Sequence, residues 1–326
     1  MIQAFRNFIV RRTFAYKLRN KAMNMFSSFE NFQAIRKKAE ESRAAEGRKH
    51  EVLYFHKVDD PYSHLTVHYI EKFKNMYNVE FKPILVGEED PAALHEPSLY
   101  TDYCLEDVKR IAPYYDVDFP GTNYPEKNLV NKANSILSSA NSEEFASLAK
   151  TVSHALWSGD LAKLEELEAT YQTSEKEVIE NLKKGNEIRN DCDYYFGSAF
   201  YYEKELYWGV DRLNHLEDRL TELGLHKSSD NEPVCLLQTK APETMSADKK
   251  VNLTYYPSLN SPYTFVSAKR VKEFQDQYPI NLITRPVLPM LMRMMVIPAF
   301  KGKYIISDAA RAVSYTHLTL PTSLAV

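Results

Sequence analysis

The chain has 326 residues, 44% of them hydrophobic and 26% charged, with a formal net charge of −3. That length exceeds one average domain, and the composition is that of an ordinary globular protein able to bury a core. The near-balanced charge gives no case for nucleic-acid binding, and no stretch approaches the roughly 20 apolar residues needed to cross a bilayer.

The charge is unevenly spread. Residues 1–50 hold 12 Lys/Arg against 4 Asp/Glu, and the rest hold 29 against 40. The opening MIQAFRNFIVRRTF has its apolar run cut by Arg11 and Arg12, which argues against a secretory signal. Residues 1–50 therefore read as a basic helical arm on or near the first domain, with a mitochondrial presequence as the alternative. Cys104, Cys192 and Cys235 are odd in number and far apart, so neither a disulfide framework nor a zinc site is signalled. A reducing, cytoplasmic setting fits them best.

Phe29–His50 is charged and helix-prone, ending near Gly47. VLYF, the turn DDPYSHL and TVHYIEKFKNMY then read as strand, turn and helix over Val52–Tyr77, and VEFKPILVG follows as a second strand. A right-handed βαβ crossover makes the two strands parallel. Ser98–Gly224 is mostly helical, interrupted by the loop FPGTNYP and by the β-rich patch YYFGSAFYYEKELYWG. That patch and a closing helix would complete a small mixed sheet, giving a first domain over 51–225. Residues 226–250 are polar, carry two prolines and read as a linker.

The opening pattern then recurs 201 residues on. Matching Pro61 to Pro262 also matches Phe73 to Phe274 and Tyr77 to Tyr278, and sets YCLEDVKR (Tyr103–Arg110) against YIISDAAR (Tyr304–Arg311). Tyr, Asp and Arg recurring at one offset read as an internal duplication, with 251–312 the front part of a second domain. After Ala312 the chain runs VSYTHLTLPTSLAV, which departs from Ile111–Val130 and looks like translated sequencing adapter. Residues 313–326 are expected to be a non-native tail on an incomplete second copy. An open sheet edge follows, with Met290, Met292, Met294 and Met295 among the exposed side chains.

The turns carry the candidate chemistry. Asp60 precedes Pro61 at a helix start, the arrangement of an N-cap followed by a first-turn proline, and Ser261 stands there in the second copy, NSPYTFV. His64 and His68 lie four apart with His56 nearby, but no HExxH-type motif accompanies them; exposed or half-buried histidines are expected, and no metal. Tyr194, Tyr195, Tyr201, Tyr202 and Tyr207 read as strand residues packing aromatic edges, with the lining of a hydrophobic cleft as the alternative. Cys104, on a helix without a base or a partner cysteine, reads as an inert, partly buried thiol.

Taken in order, strand–xPYx–helix, YxxxDxxR, a helical insertion with HALW near Trp157, and ELYWGVDR resemble the DsbA-like thioredoxin-fold group. Within it they are most similar to the 2-hydroxychromene-2-carboxylate isomerase and kappa-class glutathione transferase branch. The resemblance implies an α/β thioredoxin-like fold with a helical insertion, followed by an incomplete second copy. It implies glutathione as cofactor, a serine hydroxyl at the turn bonding the glutathione thiolate, and a small hydrophobic or aromatic substrate; a homodimer is compatible with it. Ser261 fits that serine. Asp60 does not, since a carboxylate would repel the thiolate, although Ser63 remains as a hydroxyl donor and Asp60 as a proton acceptor. Ala199 stands where the branch keeps a cis proline, while Trp208 and Asp211 match its WGxDR element, the acid contacting the γ-glutamyl end of glutathione. Three functions stay open: a glutathione-dependent isomerase or transferase using Ser261 with the first domain degenerate, a protein-disulfide oxidoreductase, and a non-catalytic binding protein. Neither turn contains cysteine, so direct thiol exchange there is excluded.

Overall fold

The computed structural model describes residues 28–228, 233–235, 249–259 and 261–316. The expectations for residues 1–27, for most of the 226–250 linker and for 317–326 lie outside these. Contacts divide the chain into a unit of residues 41–239 and a unit of residues 1–40 with 240–326. The helix α1, Phe29–Ala45, crosses that division.

In the unit of 41–239, β1 (Glu51–His56) leads through a proline turn into α2 (Pro61–Met76), and β2 (Glu80–Leu85) returns parallel to β1. Val52, Tyr54 and Phe55 are fully buried, as expected for a central strand covered on both faces. Asp60 starts α2 from an extended backbone and Pro61 takes the first helical position, where its missing N–H costs nothing. A helical layer follows: α3 (Pro97–Ile111), α4 (Lys127–Ser138), α5 (Phe145–Ser158), α6 (Leu161–Thr170) and α7 (Glu175–Asp191). The start of α7 is fixed by a capping box between Ser174 and Glu177.

The chain then forms the hairpin of β3 (Ala199–Tyr202) and β4 (Glu205–Trp208), and closes with α8 (Leu213–Glu222). Glu203 and Lys204 both take positive φ, the condition for a two-residue hairpin turn. The sheet order is β2-β1-β3-β4, with β3 antiparallel to both neighbours. This mixed sheet, with helices inserted between β2 and β3, is the α/β arrangement a thioredoxin-like unit requires. Among the described residues no helix is long and apolar enough to cross a membrane.

In the other unit, β5 (Val251–Tyr255) and β6 (Ile280–Thr284) are parallel, joined through α9 (Pro262–Gln277) and followed by α10 (Ala299–Thr316). Each β5 residue pairs with the residue 29 further on, the register of β1 with β2. Side-chain bonds recur as well. Lys57 N donates to Ser63 Oγ at 3.3 Å, and Ser258 N to Thr264 Oγ1 at 3.2 Å. Tyr54 Oη lies 3.0 Å from Thr66 Oγ1, and Tyr255 Oη lies 3.3 Å from Ser267 Oγ.

Packing does not recur. Phe73 is fully buried but Phe274 is 43% exposed, and Val52 is fully buried where Leu253 is 38% exposed. The cause is local: β1 has β3 on its second edge, whereas β5 pairs only with β6 among the described residues. Met292 and Met294 are exposed as expected, but Met290 and Met295 are half-buried. The helix α10 continues to Thr316, past the boundary expected after Ala312.

Candidate functional site

The end of β1 and the start of α2 meet the loop before β3 in the unit of 41–239. Asp60 Oδ1 accepts from Tyr62 N at 3.0 Å, so the carboxylate does cap α2. Its Oδ2 accepts from Ser63 Oγ at 2.9 Å, and Ser63 Oγ in turn accepts from Lys57 N. The hydroxyl of Ser63, which is fully buried, is therefore committed to the turn. Gly197 faces this pair across so narrow a gap that a Cβ there would lie 2.7 Å from Lys57 Cβ and 3.1 Å from Asp60 Oδ2. Only glycine lets the backbone approach that closely.

Behind the turn runs a buried polar chain. Tyr54 Oη donates to Ser63 O at 3.2 Å and lies 2.9 Å from His56 Nδ1, while Thr66 Oγ1 lies 3.2 Å from Ser198 Oγ. Burial pushes the Asp60 carboxyl up to about 7. Lys57, Ser63 and the Tyr62 amide pull against that rise, and Glu89 adds to it. The carboxyl of a half-buried residue is thus sunk in dense protein and is poised near neutrality.

Asp60 lies on the wall of a cleft of about 60 Å³, shared with Lys57, Asp59, Glu89, Cys104 and four aromatic residues, Tyr100, Tyr124, Phe196 and Trp208. Lys57 Nζ pairs with Asp59 Oδ1 at 3.3 Å and with Glu89 Oε1 at 3.0 Å. Although burial disfavours its charge, these carboxylates and Asp60 hold the ammonium above its usual range. Phe196 stacks on Tyr100 at 5.5 Å and on Trp208 at 5.1 Å between ring centroids.

The structure brings Asp60, Ser63 and Trp208 together. Asp211 is not among the residues lining the cleft; it is exposed and pairs with Arg212. Ser261 belongs to the other unit, where it is the N-cap of α9 without a side-chain capping bond. Ala199 sits in β3 opposite Phe55 on one side and Trp208 on the other, and the described residues contain no cis peptide bond.

One expectation needs correcting. His64 is fully buried, not exposed or half-buried: Nδ1 lies 2.8 Å from Ser153 Oγ and Nε2 lies 2.7 Å from the Asp118 carbonyl oxygen, so both nitrogens are engaged in the packing of α2. Burial lowers its pKa and takes that of the half-buried His68 to about 4. Among the described residues no group of three His, Cys, Asp or Glu could hold a metal. Of the tyrosine cluster, Tyr202 and Tyr207 are core side chains of the hairpin strands, in keeping with the strand-packing reading, and the aromatic lining of the cleft comes from other residues, Tyr100, Tyr124, Phe196 and Trp208.

Sequence reasoning missed Lys57, Glu89 and Tyr100, and placed Cys104 away from any site although it lines the same cleft as Asp60. Cys104 is buried rather than partly buried, and burial pushes its thiol up to about 12. The one available signal was the charge sequence KVDD at the end of β1, with EED at the end of β2, since parallel neighbouring strands place those ends side by side.

No family model and no curated protein matches the chain. Among solved structures, a 2-hydroxychromene-2-carboxylate isomerase is similar at 17% identity and a TM-score of 0.40, over 53% of this chain and 96% of that one. A likeness at this level assigns no residue a role.

Proposed function

We propose that the two strand–turn–helix units arose by duplication, and that glutathione-dependent isomerase or transferase chemistry belongs to the Ser261 turn while the Asp60 unit has lost it. The observation that supports this reading is the contrast within one turn geometry. At the first N-cap a carboxylate is bonded to both Ser63 and Tyr62; at the second, Ser261 makes no capping bond.

The residues around Asp60 do not fit glutathione. An ionised Asp60 repels a thiolate, and the cleft of about 60 Å³ is far below the roughly 300–1,000 Å³ of ligand pockets. Ser261 supplies the hydroxyl donor that a glutathione thiolate needs, toward a small hydrophobic or aromatic substrate. A disulfide oxidoreductase has no support in either turn, and Cys104, held protonated by burial, does not supply the thiolate. The Asp60 unit is accordingly a binding module.

Titration calorimetry of the whole chain with reduced glutathione tests the assignment. Binding that Ser261→Ala removes and Asp60→Asn leaves in place is expected. Binding removed by Asp60→Asn and kept by Ser261→Ala would reverse the roles of the two units.

A further inference from the structure

We propose that the cleft beside Asp60 binds a small organic cation of the alkylammonium class, irrespective of whether glutathione chemistry belongs to Ser261. Charge is the first argument. Lys57 forms its ion pairs with Asp59 and Glu89 and acts on Asp60 only from beyond ion-pair distance, since no Lys, Arg or His nitrogen among the described residues comes within 4.0 Å of the Asp60 carboxylate. The bonds to Asp60 come from a hydroxyl and a backbone amide, both neutral donors. Three carboxylates and one ammonium line the cleft, so it carries an excess of negative charge at its wall. One ammonium shared among three carboxylates leaves the burial cost of Asp60 only partly offset, and a cation in the adjoining space relieves the rest.

The second argument is the wall itself. Tyr100, Tyr124, Phe196 and Trp208 contribute aromatic surface next to the carboxylate. Rings attract cations through their quadrupoles, and a methylated or primary ammonium suits such surface better than a hydrated inorganic ion does. An inorganic alternative lacks a ligand set, because no three suitable side chains converge among the described residues. Size is the third argument. About 60 Å³ admits a group of a few heavy atoms and excludes a peptide.

The groups facing Asp60 decide how binding responds to pH. Burial keeps Cys104, Tyr100 and Tyr124 protonated through the neutral range, and Lys57 stays charged between Asp59 and Glu89. Tyr62 is tied through its hydroxyl to Asp107. Asp60, with a pKa raised by burial to about 7, is then the cleft group that changes charge between pH 6 and 8.

The probe is methylammonium chloride, added to the whole chain at constant ionic strength and followed by saturation-transfer NMR of its methyl group. Saturable binding at pH 8 is expected, about tenfold weaker at pH 6 because about a tenth of Asp60 is then ionised. Asp60→Asn should weaken it at least as much, and Trp208→Leu should weaken it severalfold. Methanol, a neutral molecule of the same size, should not compete. No saturable binding at pH 8, equal binding by a folded Asp60→Asn protein, or equal competition by methanol would overturn the proposal. Should Asp60→Asn fail to fold by circular dichroism, the pH arm and Trp208→Leu decide, and binding unchanged in both overturns it.

Discussion

The hydroxyl of Tyr62 donates to Asp107 Oδ2 at 2.7 Å, tying the first turn of α2 to α3. The same bond is built again 201 residues later, where Tyr263 donates to Asp308 Oδ2 at 3.0 Å. A hydrogen bond to a carboxylate contributes about 1.5–3 kcal/mol, more than one between neutral groups. Tyr62→Phe leaves Asp107 without that donor while keeping the ring, so a loss of about 1–2 kcal/mol is expected for the unit of 41–239. Urea unfolding of this variant against the parent measures it, and an unchanged midpoint would mean that water replaces the phenol at no cost.

The recurrence of bonds without the recurrence of burial gives a second prediction. Phe274 and Leu253 are exposed and α9 has no buried residue, so β5, α9 and β6 have little side-chain packing to resist local opening, in contrast to α10 with its buried Tyr304, Asp308, Ala309 and Arg311. Limited proteolysis should cut there first and leave a core of about residues 51–223. Equal resistance of the two regions would contradict the exposure pattern.

Much of this was legible from residues. VLYF and PILV read as strands because apolar β-formers there are bounded by turn residues, and Asp-Pro marked the start of α2 because capping chemistry is local. The recurring Pro-Tyr turn marked the start of α9 in the same way. The cleft was not legible in the same way. Lys57, Glu89, Tyr100, Phe196 and Trp208 come from five separate places along the chain, and only the sheet and the helical insertion gather them. Burial is also collective: nothing in DDPYSHL says that its second aspartate is sunk in dense protein or that Gly197 lies against it.

Asp60 also makes stability depend on pH in an unusual direction. Its folded pKa, raised by burial to about 7, lies above the ordinary carboxyl value of 3.8. Between those values the native state holds a proton that the unfolded state has released, so this group's contribution falls as pH rises from about 4 to about 7. Above that range the cost is fully present, and below it the cost vanishes. Asp60→Asn removes the titration while keeping a hydrogen-bonding side chain. The variant should therefore gain stability relative to the parent between pH 5 and pH 8, by on the order of a few kcal/mol at most. Denaturant titrations at both pH values decide it, and a difference that does not change with pH would refute the raised pKa.

Cys104 offers a chemical readout of the same buried wall. A thiol pushed up to about 12 has little thiolate at neutral pH, and the Asp60 charge adds to the burial that holds it there. Alkylation of Cys104 by iodoacetamide in the folded protein should be slower than that of an ordinary cysteine by about a thousandfold, following the thiolate fraction. Mass spectrometry of timed digests assigns the rate to each cysteine. Rapid, selective labelling of Cys104 would mean that the cleft activates this thiol.

Introducing a glutathione site at the first turn meets more than one obstacle. Asp60→Ser removes a repulsion of about 4 kcal/mol for a thiolate at ~4 Å and an effective dielectric near 20, before solvent screening reduces it. Charge is only one obstacle, because the cleft still holds about 60 Å³ and Gly197 closes against the turn. Proline at position 199 does not supply what is missing. Ala199 lies in β3 between β1 and β4, where a proline withdraws an N–H from a strand paired on both edges. Asp60→Ser alone is thus expected to give no micromolar glutathione binding, and adding Ala199→Pro should lower the unfolding midpoint without restoring it. Calorimetry and thermal unfolding of both variants measure the two effects separately. Micromolar binding by Asp60→Ser would show that charge, and not space, keeps glutathione from the first turn.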